Sequence, residues 1–167
     1  MSVRVATVVL AVVAALLETS VAPYLTMPGL TPDLVLVCAI VLAVSIGSEE
    51  GFIAAFVGGL ILDMLVAPSR PLGATTLSLL LATGLGVALV RFMGPGRVHT
   101  TLILVLALTA VFHAIVAAVL ALTTGVRVTV DPFGEMLPTA VLNTAIAIPF
   151  ALLGRRAWLR WSERPEW

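Results

Sequence analysis

Six apolar runs, each parted from the next by a short cluster of Pro, Gly or charged residues, set the limits on what this chain can become. A helix needs about 20 apolar residues, at about 1.5 Å each, to cross the hydrocarbon of a bilayer. The runs extend over Val3 to Ala22, Thr31 to Ile46, Gly51 to Val66, Leu72 to Phe92, Val98 to Leu122 and Glu135 to Leu153. Pro23, Pro28 and Gly29 break the first from the second, where Thr31 is the expected N-cap and Pro32 the first helical residue. Gly47-Ser48-Glu49-Glu50, Pro68-Ser69-Arg70-Pro71, Gly94-Pro95-Gly96 and Thr123 to Pro132 are the other expected turns and loops. The second and third runs are short, roughly 15 residues each, and read as a hairpin that thins the bilayer or leans on its neighbours. A soluble fold does not fit: the chain is 60% apolar and 11% charged, against about 45–50% and about 25% in soluble domains. Its mean hydropathy is +1.17.

The expected architecture is therefore an all-α integral membrane protein with six transmembrane helices over residues 1–154 and a short cytoplasmic interfacial tail over 155–167. In that tail Arg156, Arg160 and Arg164 share one helical face and Trp158 and Trp161 another, a pattern suited to the headgroup layer. Arginine placement orients the chain. With the N-terminus inside, Arg4, Arg91, Arg97, Arg155, Arg156, Arg160 and Arg164 are cytoplasmic, and only Arg70 and Arg127 are external. Six spans put both termini on the cytoplasmic side, whereas five would part the N-terminus from the Arg-rich tail. Ser20-Val21-Ala22 looks like a signal-peptide cleavage site, but Pro23 after it and Glu18 before it point to an uncleaved first helix.

Ionisable residues within membrane helices are the first candidates for function. Glu18, Asp33 and Asp63 are expected on the outer side, facing Arg70 and Arg127. Asp33 opens a helix, where the dipole favours an acid; Asp63 closes one, where it does not, and Arg70 is its expected structural partner. Gly47, Gly51, Ala55 and Gly59 recur every four residues and make a small-residue stripe continued by Asp63. Such a stripe serves close helix packing, either inside the bundle or against a partner's helix. Gly84 and Gly86 carry a weaker version of the same signal. His113 and Asn143 fall mid-span and suit interhelical hydrogen bonding better than a relay. The sequence offers no metal-ligand spacing, nucleophile–base pair, or Walker or dinucleotide glycine pattern, so it reads as a non-enzyme without cofactor or metal. Zero net charge leaves no nucleic-acid footprint, and the lone Cys38, in an apolar run, behaves as a small hydrophobe.

Pro32-Asp33-Leu34-Val35-Leu36, then Gly51-Phe52, Gly58-Gly59-Leu60 and Asp63, then Pro71-Leu72-Gly73, follow one another in an order that resembles the bacterial rod shape-determining protein MreD family. The motif block covers Pro32 to Gly73; the rest is similar in architecture. The resemblance implies a non-enzymatic subunit of the cell-elongation machinery in the inner membrane. It would work beside the bitopic MreC, the actin-like MreB, RodA and penicillin-binding protein 2, and would help peptidoglycan synthesis keep the cell rod-shaped. The MreC membrane helix is the implied direct partner, with Asp33, Asp63, Gly51, Ala55, Gly59 and Arg70 as partner-binding or structural residues. The implied fold is similar to that of the substrate-binding subunits of energy-coupling-factor transporters. That likeness supplies the rival reading, a vitamin or small-molecule binding subunit of a transporter. Aromatic residues are only 6% of the chain, three of them Trp in the tail, which is a thin supply for a vitamin pocket.

Overall fold

The computed structural model describes residues 3–21, 24, 31–65, 71–94, 97–124 and 136–162, without the side chains of 124 and 157–162. It is all-helical. The elements in chain order are α1 (Val3–Val21), α2 (Leu34–Ser45), α3 (Ser48–Leu65), α4 (Ala74–Met93), α5 (Val98–Thr124) and α6 (Leu137–Ser162). Four of them, α1, α4, α5 and α6, are long and apolar enough to cross a membrane.

The short second helix is the hub. With 12 residues, α2 measures about 18 Å, and ten of those residues are buried. It packs against all five other helices. A helix that is apolar all round belongs inside a structure. In α2 that place is the centre of the bundle, so its length need not match the bilayer. Around it run α1, α3, α4, α5 and α6 in that order. Each packs on the next, but among the described residues α1 and α6, the two ends of the arc, bring no pair of Cα atoms within 8 Å.

Several boundaries differ from the expected ones, for local reasons. Thr31 and Pro32 precede α2, and Asp33 takes the N-cap position. The expected turn at Gly47–Glu50 contracts to Ile46 and Gly47, because Ser48-Glu49-Glu50 form the first turn of α3. Two acids there match the positive end of the helix dipole, and α3 grows to 18 residues. At the other side of the bundle α6 continues unbroken through Gly154 to Ser162, so the first part of the expected tail prolongs the last helix. Gly73 and Gly94 bound α4 with φ of 91° and 88°, a left-handed backbone that glycine adopts without strain.

The packing also gathers charge. Arg4 of α1 meets Glu49 of α3 at 3.0 Å, and Gly154 of α6 lies against Ser45 at the end of α2. The same end of the bundle holds the close of α4 and the start of α5. All five arginines with described side chains, Arg4, Arg91, Arg97, Arg155 and Arg156, therefore lie at one end, mostly exposed. Arg70 and Arg127 lie outside the described residues.

Candidate functional site

The buried acids Asp33 and Asp63 and the buried Asn143 lie toward the end opposite those arginines, in two groups. The first is built on Asp63, in the last turn of α3 and 3% exposed. Its Oδ2 accepts from the backbone N–H groups of Gly73 at 3.1 Å and Thr76 at 2.9 Å, and from the Thr76 hydroxyl at 2.6 Å. Its Oδ1 accepts from the Thr75 N–H at 3.0 Å. The carboxylate thus closes the open N-terminus of α4, where unpaired N–H groups and the dipole favour an anion. An acid at the end of its own helix is explained by the start of the next. Arg70, the partner expected from the sequence, lies outside the described residues. The signal for the cap is Gly73: a glycine at the N-cap brings no side chain, so the cap has to come from elsewhere.

The second group joins α1, α2, α5 and α6. Asp33 makes no side-chain cap bond to its own helix. Instead the Val35 N–H donates to Glu18 Oε2 of α1 at 3.0 Å, so the first helix caps the second as the third caps the fourth. Asp33 turns to α6. Its N–H donates to Asn143 Oδ1 at 2.9 Å, and Asn143 Nδ2 donates back to Asp33 Oδ2 at 2.8 Å. Asn143, wholly buried, also donates to the Thr109 hydroxyl of α5 at 3.2 Å. His113 Nδ1 lies 2.9 Å from the Thr109 carbonyl. A carbonyl only accepts, so Nδ1 carries the hydrogen there, and Nε2 faces Asp33 Oδ2 at 3.8 Å. Thr109 was not singled out in the sequence; threonines on apolar helices carry little signal of their own.

The small-residue stripe is consumed within the bundle. A Cβ on Gly51 would stand 2.5 Å from that of Ala43 and 3.0 Å from its Cα, so α3 meets α2 there backbone to backbone. A Cβ on Gly59 would stand 2.7 Å from Thr76 Cα, the contact of α3 with α4. Ala55, between them, is wholly buried. Gly58, read only as part of a motif, seats Val35 of α2, and Gly86 seats Leu108 of α5.

One groove opens on the outside of the bundle between α1 and α6. It has a volume of about 220 Å³ and is lined by apolar side chains of α1, α2 and α6, with Ala14, Cys38 and Phe150 among them. Among the described residues no group of three or more His, Cys, Asp or Glu is placed to hold a metal ion.

Comparison with known proteins gives a family. The model of the rod shape-determining protein MreD family matches residues 2–156, nearly the whole chain. No curated protein and no solved structure matches. The chain belongs to the MreD family, and is a rod shape-determining membrane protein.

Proposed function

We propose that this member of the MreD family is a non-enzymatic membrane subunit of the bacterial cell-elongation complex, binding MreC and so supporting peptidoglycan synthesis along the cell cylinder. What carries the reading, beside the family match over residues 2–156, is how the interior polar groups are spent. Asp63 accepts four hydrogen bonds, and Asp33, Asn143 and Thr109 bind one another. These are fasteners between helices, and they leave the outward surface apolar, as suits a protein that acts by assembly within lipid. RodA, penicillin-binding protein 2 and MreB are then indirect neighbours through MreC. The rival reading, a vitamin-binding transporter subunit with a related fold, needs polar groups converging on a pocket. The groove found here is apolar throughout. Affinity purification from native membranes separates the two. MreC is expected with the chain; a pair of transporter ATPases in its place, with no MreC, would reverse the choice.

The same reading has six spans and both termini in the cytoplasm of a cell with an inner membrane. The gathering of the described arginines at one end supports it. So does the buried position of α2, which lets a short helix serve as a span without facing lipid. In a Cys38→Ser background, single cysteines at Ser69 and Thr129 are expected to react with a membrane-impermeant thiol reagent in intact cells, and one at Ser162 only after lysis. The reverse pattern rejects this orientation.

A further inference from the structure

We propose that the rim formed by the arginine-bearing ends of α4, α5 and α6 is a seat for anionic phospholipid, the phosphate resting on the arginines and an acyl chain on the apolar faces of α4 and α6. Charge is shared unevenly around that end of the bundle. On the side of α1 and α3, Arg4 is paired with Glu49, and Glu50 follows in the chain, so one cation stands against two acids. On the side of α4, α5 and α6, which pack in that order, Arg91, Arg97, Arg155 and Arg156 are exposed. Among the described residues none of these four pairs with a carboxylate. The bias that orients a chain in the membrane asks only that cations gather at one end. It does not ask that the acids at that end keep to one side of it.

The surface beside the arginines selects the kind of anion. On α4 the exposed face carries Leu81, Leu85 and Phe92, with Phe92, 87% exposed, directly after Arg91. On α6, Ile148, Leu152 and Arg156 follow at intervals of four and share one exposed face. A free phosphate, or an acidic peptide arriving from water, would meet the arginines and leave Phe92 and Leu152 bare. A phospholipid meets both: its phosphate takes the forked bond of a guanidinium, and its chain lies along the apolar stripe. The comparable stripe of α3, Phe52, Phe56 and Leu60, instead begins beside Glu49, which Arg4 already holds. The seat depends neither on the rod-complex reading nor on which side of the membrane this end occupies.

Chain-labelled spin probes of phosphatidylglycerol and phosphatidylcholine, each at trace level in phosphatidylcholine vesicles holding the full chain, report by electron spin resonance which lipid stays against the protein. Wild type is expected to prefer phosphatidylglycerol about fivefold, the scale of one cation acting at a membrane surface. Arg91→Gln with Arg97→Gln, and Arg155→Gln with Arg156→Gln, should each cut that preference by half or more. Lysine at the same four positions keeps the charge and should keep most of the preference. Arg4→Gln with Glu49→Gln, which removes the ion pair of the other side, should leave it unchanged. Equal retention of the two lipids by wild type overturns the seat, and so does a preference that survives both glutamine pairs. Loss of the preference in millimolar inorganic phosphate or polyglutamate, but not in chloride of equal ionic strength, would give the arginines to a soluble anion and also overturn it.

Discussion

Asp63→Ala is expected to lower the stability of the folded chain by about 3–5 kcal/mol, the usual cost of stripping a buried charge from the groups that surround it. Three backbone N–H groups and the Thr76 hydroxyl lose their acceptor together, at a helix terminus that Gly73 cannot cap itself. In a chain of this length that is a fall of about 10 °C in the thermal unfolding midpoint, read in detergent or nanodiscs. Asp63→Asn is expected to fall by about half as much. With its amide oxygen in the Oδ2 position it keeps three of the four bonds and sets an NH₂ only against the Thr75 N–H. An unchanged midpoint for Asp63→Ala would mean that the carboxylate does not hold the start of α4.

Gly59→Leu is expected to remove most of the folded protein from the membrane. The added Cβ would meet the Cα of Thr76 at 2.7 Å, and a backbone atom cannot swing aside as a side-chain tip can. The helices must part, and α4 then draws away from the Asp63 carboxylate that caps it. Gly51→Leu does the same against Ala43 of α2. Overpacking of this kind costs about 1–3 kcal/mol and sometimes more, and here the lost cap adds to it. Leu60→Ala, one residue on and 43% exposed, is expected to change stability by no more than about 0.5 kcal/mol. Quantitative blotting of membranes reads the difference. Recovery of MreC per folded molecule should stay at the wild-type level in the glycine variants. A Gly59→Leu chain that is abundant but has lost its partner would place the docking surface on the stripe.

Hydropathy carried most of the fold. The order of six helices, the breaks at Gly94 and near Gly47, and the short second helix all follow from apolar runs and their punctuation, because lipid forces every backbone bond inside its own segment. The start of α3 is not legible in the sequence, since Ser48-Glu49-Glu50 look like a polar turn, although the same residues make a good first helical turn. The site was legible in its residues and not in its pairings. Asp33, Asp63, Gly51 and Gly59 stand out on apolar helices, but nothing in a single sequence says that Asp63 reaches Thr75 and Thr76 or that Asp33 meets Asn143, 110 positions away. The open seam between α1 and α6 is a property of how six cylinders pack, and no residue type announces it.

The account holds that Asp63 serves the fold and that the fold serves assembly, and cell width measured against folded abundance tests this most directly. Cells whose only copy carries Asp63→Asn are expected to widen in proportion to the folded protein they lose. Raising expression until folded Asp63→Asn protein equals the wild-type amount should return them to wild-type width. Cells that stay wide at that abundance would show that the carboxylate acts in elongation itself, and would contradict the account.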